Sequence, residues 1–267
     1  MRQHAQHVGA EGSLAQGTLV EGLDARRIGD ESPGIDAKAD GTTLTPIARE
    51  ERTPCHEDVL TRVPSGIPVF RRSRAEVEAL CGFRFHRGLL VSADCPVLPE
   101  TLDTLPSGPA PLLVLPEIND PENLGSLLRT AAAFGVAGVI LGERCPAPFS
   151  RRVLRVSMGA ALELPLVHCR NLRTELERLR DLGLVLLGSS ARRGLPPAEL
   201  DLADTTPRAL LLGNEGQGLA DEDAELCHTL LRIPLGPAVS SLNVALAAGI
   251  LLYELTGRGR HVSGARP

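Results

Sequence analysis

Three short stretches of this sequence hold polar residues placed where they could do chemistry. The first is NDPENLGSLLRTAAAFG, residues 119 to 135, in which Asn123 and Arg129 stand six apart. It follows an apolar run, so residues 119 to 123 should form the loop at a strand's carboxyl end, where open α/β sheets hold ligands. Arg129 then falls one to two turns along the next helix, flanked by Leu127, Leu128, Ala131 and Ala132. On a buried face its guanidinium would need a carboxylate or phosphate partner. The second stretch is LLLGNEGQGLADEDAEL, residues 210 to 226, with Gly213, Gly216 and Gly218 around Asn214 and Glu215. Its glycines run G-x-x-G-x-G, the reverse of the dinucleotide fingerprint G-x-G-x-x-G. Glu215 would repel a phosphate, so the turn suits a ligand with a positive centre, or one held by backbone hydrogen bonds. The third stretch is IPLGPAVSSLNVALAAGILLYEL, residues 233 to 255. Gly236 and Pro237 end a strand, Ser240 or Ser241 can cap the helix behind them, and Asn243 belongs to its first turn. Ser241 and Asn243, at the amino end of so apolar a helix, are poised to face a pocket. Taken singly, each stretch also has a purely structural account: a cap followed by an ion-paired arginine, a strand-to-helix corner, a capping device.

The elements around these clusters alternate. PLLVLPEI, GVILG, LPLVHC, LVLLGSS, RALLLG and TLLRIPLG are short Leu-, Val- and Ile-rich runs. Between most of them lie helical patterns: ENLGSLLRTAAAFG, SRRVLRVSMGAA, LRTELERLRDLG and ADEDAELC, with SSLNVALAAGILLYELTG as a terminal apolar helix. Strands without in/out alternation, joined by helices, predict a three-layer α/β domain with a parallel sheet over residues 109 to 260. Upstream, HEDVLTRV and RAEVEALCG suggest helices, and GIPVFRRS and RGLLVSA strands, of a small α/β unit. CPVLPETLDTLPSGPAP, with five prolines, reads as a linker, so that unit and linker span residues 51 to 108. Residues 1 to 50 lack periodicity and read as a flexible or poorly defined region, and residues 261 to 267 as a tail.

Composition narrows the possible classes. The 267 residues are 43% apolar, enough for a sizeable core. The longest apolar run, residues 244 to 253, is far short of the roughly 18 to 20 residues of a membrane span, and MRQHAQHVGAEGS lacks an apolar signal core. The expected location is the cytoplasm, with no membrane partner. The six cysteines, Cys55, Cys81, Cys95, Cys145, Cys169 and Cys227, are scattered without C-x-x-C spacing, so free, mostly buried thiols are expected, and no metal. A net charge of −5 argues against a coat of basic charge. Yet Lys38 is the single lysine, and arginines cluster at Arg71, Arg72 and Arg74, at Arg84 and Arg87, and at Arg151, Arg152 and Arg155. Such patches pair well with phosphate, although for any one cluster solvated surface arginine is the simpler account.

Together the three stretches are more specific than apart. N-x₅-R after a strand, GNEGxG after a later strand and IPLG-x₄-SLN before a terminal apolar helix resemble, in that order, the three motifs of the SpoU/TrmH family of the SPOUT superfamily. The resemblance covers about residues 109 to 257, and GFRFHRGLLVSA resembles the end of the ribosomal-protein-like RNA-binding domain that often precedes this fold. It implies an RNA ribose 2′-O-methyltransferase that uses S-adenosyl-L-methionine, acts on ribosomal or transfer RNA, and needs no metal. It also implies a carboxyl-terminal trefoil knot, which no periodicity could reveal. Matched motif by motif, Asn123, Arg129, Glu215, Ser241 and Asn243 fall on the catalytic pocket. Leu212, Gly213, Gly216, Ile233, Leu235 and Leu242 fall on positions that enclose the methyl donor. Ala245 stands where the family often has serine, and the chain before residue 55 matches the accessory domain poorly.

In such a pocket, Arg129 is expected to orient the hydroxyl and a neighbouring phosphate, because a guanidinium gives up its proton reluctantly. Asn123, Glu215 and Ser241 would fix its direction. A homodimer is expected as well, with Leu251, Leu252 and Leu255 of the last helix as a contact surface. Two rivals compete: a catalytically silent RNA-binding relative, and a nicotinamide-dependent oxidoreductase. The intact GNEGQG and SSLN oppose the first, and the missing G-x-G-x-x-G opposes the second.

Overall fold

A computed structural model describes residues 18–21, 45–49, 59–82, 84, 88–105, 108–203 and 205–257. The chain divides into two compact units, one of residues 1–19 and 31–96 and the other of residues 20–30 and 97–267.

The first unit carries the start of β1 (Thr18–Glu21) with β2 (Thr45–Arg49), β3 (Phe70–Arg72) and β4 (Leu89–Ala93), in a four-stranded sheet ordered β1-β4-β2-β3. β2 runs parallel to β3 and antiparallel to β4. One helix, α1 (Arg74–Cys81), follows β3. It starts on a capping box in which Ser73 and Glu76 satisfy each other's backbone amides, and it stops at the left-handed Gly82. Strand pairing thus extends into the first 50 residues, where loose chain is expected from the lack of periodicity. β1 and β2 are only four and five residues long, too short for a period-2 signal to stand out. The rest of that region, the proposed tail, Cys55, Phe83 and Arg87 lie outside the described residues.

The second unit is built on six parallel strands: β5 (Leu112–Leu115), β6 (Gly138–Gly142), β7 (Leu166–Cys169), β8 (Val185–Ser189), β9 (Arg208–Leu211) and β10 (Thr229–Leu231). Their order is β10-β8-β9-β5-β6-β7, and every neighbouring pair is parallel. Alternate residues of each strand point to opposite faces, and both faces are buried. Leu113, Leu115, Val139, Leu141 and Leu210 enter one core with α2 (Pro121–Phe134), α3 (Arg151–Ser157) and α6 (Val244–Gly257). Leu112, Val114, Ile140, Leu186 and Leu211 enter the other with Leu176 of α4 (Leu172–Asp181) and Leu226 of α5 (Asp221–Leu226). The expected three layers are present, and each strand coincides with one of the apolar runs.

Two expectations need correction. The proline-rich segment is no free linker ending near residue 108. Leu98 packs on one core and Leu102 and Leu105 on the other, while the His168 amide donates to the Pro99 carbonyl at 2.9 Å and Arg178 pairs with Asp103 at 2.9 Å. Prolines remove amide donors, but a fully buried leucine contributes about 1.5–3 kcal/mol, enough to strap such a chain to the sheet. The three leucines of α6 expected at a dimer contact are not at the surface. Leu251, Leu252 and Leu255 are buried in the unit's own core, whereas Leu246, Ile250 and Tyr253 face outward. Helix apolarity does not reveal which arc the sheet covers.

Candidate active site

Helix α2 begins directly after β5, and its cap sets the geometry. The Asp120 side chain accepts the Glu122 amide at 2.8 Å, and Pro121 occupies the first turn, where its missing N–H costs nothing. Asn123, the third residue of the helix, is thereby held in its first turn. Its side-chain amide donates to Glu215 Oε1 at 2.8 Å, and the backbone amides of Asn119 and Asp120 reach the two Glu215 oxygens at 3.3 and 3.5 Å. Asn123 Oδ1 in turn accepts from Asn243 Nδ2 at 2.9 Å. Asn243 Oδ1 accepts the amides of Ala245 and Leu246 at 2.9 and 3.3 Å, so Asn243 itself caps α6. Neither Ser240 nor Ser241 does, because the helix starts at Val244, beyond their reach.

The glycine turn is shaped by Asn214. Its Oδ1 accepts the amides of Gly216 and Gln217 at 3.0 and 2.7 Å, and its backbone exchanges hydrogen bonds with Gly218. Gly218 is left-handed at φ 76°, and a Cβ on Gly213 would lie 1.9 Å from the Gly218 carbonyl carbon. The glycines let the turn close on itself. The amides of Gly216, Gln217 and Gly218 are already partnered, so the turn is no anion cradle.

Beside it lies a cavity of about 690 Å³ at the carboxyl ends of β8 and β9. Leu212, Gly213, Gly216, Ile233, Leu235 and Leu242, the expected donor-enclosing residues, all line it, together with Glu215 and Ser241. Its wall also includes residues that motif matching missed, among them Asn214, Ser189, Ser190, Arg192, Arg193 and Asp221. The polar run SSARRG behind an apolar strand was the available signal.

Arg129 does not join this cluster. It is exposed on α2, in a separate groove of about 490 Å³ formed with Thr130, Ala133 and Phe134 of α2 and Ala245, Leu246, Gly249, Ile250 and Tyr253 of α6. The leucines and alanines beside it face the core, but position 129 points away from them, so no buried charge needs a partner within the unit.

Burial pushes the Glu215 carboxyl up, but hydrogen bonds from the Asn123 side chain, its own amide and the amides of Asn119 and Asp120 outweigh it. The net result lies below the ordinary carboxylate value. Glu215 is therefore a fixed negative charge at neutral pH and a weak base. Among the described residues, no group of three or more His, Cys, Asp or Glu is placed to hold a metal ion, and no helix is long and apolar enough to cross a membrane.

Residues 110–253, which contain all three motifs, match the model of the SpoU rRNA Methylase family. The chain belongs to that family. It is 36% identical over 200 residues to an uncharacterized tRNA/rRNA methyltransferase of Mycobacterium tuberculosis, covering 74% of this chain and 69% of that one. It is 36% identical over 205 residues to the 23S rRNA (guanosine-2′-O-)-methyltransferase of Pseudomonas aeruginosa, covering 74% and 81%. The AdoMet-bound rRNA methyltransferase of Sinorhizobium meliloti superposes with a TM-score of 0.74 at 26% identity, over 93% of this chain and 88% of that one. The SpoU fold thus accounts for the parallel sheet, and the motifs for the cluster at its edge.

Proposed function

We propose that this SpoU protein transfers a methyl group from S-adenosyl-L-methionine to a ribose 2′-hydroxyl of ribosomal or transfer RNA. The observation that carries this reading is the Glu215–Asn123–Asn243 hydrogen-bonded cluster at the edge of a cavity walled by Leu212, Gly213, Gly216, Ile233, Leu235 and Leu242. About 690 Å³ lies within the usual range of small-molecule sites, about 300–1,000 Å³, and suits a nucleoside with an amino-acid tail. A turn whose Asn214, Gly216, Gln217 and Gly218 amides are already bonded, and which carries an ionised Glu215, suits a cationic donor better than a polyphosphate. When bound, the donor would supply a sulfonium methyl to the ribose oxygen, with the carbon–sulfur electron pair kept by sulfur and the hydroxyl proton passed to solvent water.

Glu215 and Asn123 fix charge and direction, and Ser241 at the cavity wall helps to orient the sugar. Arg129, unable to accept a proton, acts on the hydroxyl and its phosphate. Its place outside its own cavity is consistent with a homodimer on the α2–α6 face, where Leu246, Ile250 and Tyr253 lie exposed and Arg129 reaches the second copy's site. The knot at the carboxyl end and a cytoplasmic location belong to the same proposal. The first unit serves RNA docking, supported by Phe70, Arg71 and Arg72 exposed on β3, with the Arg72 guanidinium 5.9 Å from the Phe70 ring centre.

Incubation with methyl-labelled donor and total RNA, followed by nuclease digestion and mass spectrometry, tests this. The expected product is a 2′-O-methyl nucleoside; label on a base, or none, would overturn the assignment.

A further inference from the structure

The donor cavity has one wall that the motifs do not account for. Behind β8 the chain turns at Ser190, whose Oγ accepts the amides of both Arg192 and Arg193 at 3.3 Å. This serine-centred turn fixes two consecutive guanidinium-bearing residues on the cavity's edge. Arg192 and Arg193 are the basic residues among those lining it, and they share it with Leu230 and with Leu219, Asp221 and Ala224 near the start of α5. Glu215 belongs to the glycine turn and Ser241 to the segment before α6. The cavity thus holds two anionic residues, Glu215 in the glycine turn and Asp221 at the start of α5, and a cationic pair in a separate loop.

The proposed donor has the matching asymmetry. Its sulfonium is positive, and its amino-acid tail ends in a carboxylate. The loop amides that could have held a carboxylate, those of Gly216, Gln217 and Gly218, are spent on Asn214. An arginine fork matches a carboxylate bidentately, which a backbone turn cannot do. We propose that Arg192 and Arg193 bind the carboxylate of the donor's methionyl tail, making this loop a specificity determinant for the amino-acid end of the donor. The inference rests on the donor occupying this cavity. Both arginines are exposed, so solvent and salt weaken the contact, and its strength depends on ionic strength.

Calorimetric titration of the full chain with S-adenosyl-L-methionine and with its decarboxylated analogue tests this without any turnover. The intact protein should bind the carboxylate-bearing donor about tenfold more tightly at low salt, the size of one charge-assisted contact. An Arg192→Gln/Arg193→Gln variant should lose that preference while binding the decarboxylated analogue as before, which also shows that the cavity has folded. A variant that keeps the preference overturns the inference and leaves the donor site standing. If the variant binds both donors normally but loses affinity for a short RNA, the pair contacts substrate phosphate and the inference is likewise wrong. An intact protein that binds neither compound overturns the donor site together with it.

Discussion

Asn123 donates its side-chain amide to the Glu215 carboxylate at 2.8 Å across 92 residues of chain. That bond joins the first motif to the second, and Asn243 joins the third to Asn123 at 2.9 Å. Neither asparagine is placed to move a proton; each aligns its neighbour. Replacing Asn123 by Ala removes both bonds and leaves Glu215 held by its own amide and by two long contacts to the Asn119 and Asp120 amides. Methyl transfer to RNA should fall on the order of 10²-fold in kcat, with the fold retained, as for loss of a preorganised polar group. Unchanged turnover in a labelled-methyl assay would remove Asn123 from the site.

Glu215 makes a statement about pH. Its folded carboxyl lies below the ordinary value of 4.5, so the unfolded chain takes up the proton first as pH falls. The contribution of this carboxylate to stability is fully present above 4.5 and is lost as pH drops through the lower folded value. Urea unfolding of the protein and of Glu215→Gln should therefore differ by a constant amount from about pH 8 to pH 5, and converge in more acid solution. A difference that widens on acidification would show that the carboxyl is held protonated instead.

Gly213 and Gly216 belong to one turn but should respond in opposite ways. A Cβ at Gly213 would sit 1.9 Å from backbone carbon of Gly218, while one at Gly216 meets nothing closer than Asn214 Oδ1 at 3.8 Å. Gly213→Ala should destabilise the second unit by about 1–3 kcal/mol and abolish donor binding, whereas Gly216→Ala should melt like the parent. Thermal melting with a donor titration reads both. Equal behaviour of the two variants would mean that the turn is not closed in this way in solution.

Much of this was legible in the chain. The six runs of the parallel sheet were visible because strands buried on both faces carry no polar alternation, so each reads as a continuous apolar run. Asn123, Glu215 and Asn243 were singled out through the motifs that resemble the SpoU/TrmH family, and folding joins them by hydrogen bonds. What escaped was direction around a helix axis and the use of polar side chains on nearby backbone. Arg129 sits among apolar neighbours in sequence yet points outward, and α6 is apolar over more of its circumference than its own core covers. Asn214 and Ser190 spend their acceptors on amides two and three residues ahead, and whether a side chain turns back in this way depends on local torsions that residue type does not fix.

The thiols separate by burial. Burial pushes Cys145 and Cys169 up to about 11 and Cys227 to about 12, while Cys95 is exposed. The thiolate is the reactive form, so iodoacetamide at about pH 8 should modify Cys95 and leave the other three until the protein unfolds. Peptide mapping before and after urea checks this. Rapid labelling of Cys227 in the folded protein would mean that α5 opens readily.

The exposed α2–α6 face decides whether Arg129 works in its own cavity or in another copy's. Leu246→Asp together with Tyr253→Asp should give a monomer by sedimentation that binds donor and transfers no methyl, because both side chains lie outside the core. The sharper measurement mixes two inactive proteins, Arg129→Ala and Glu215→Gln. If each site takes Arg129 from the second copy, a mixed dimer holds one intact site. Subunit exchange should then restore roughly a quarter of parental activity, since half the dimers are mixed and each has one working site of two. If Arg129 serves its own cavity, every site in the mixture lacks one group and activity stays at zero.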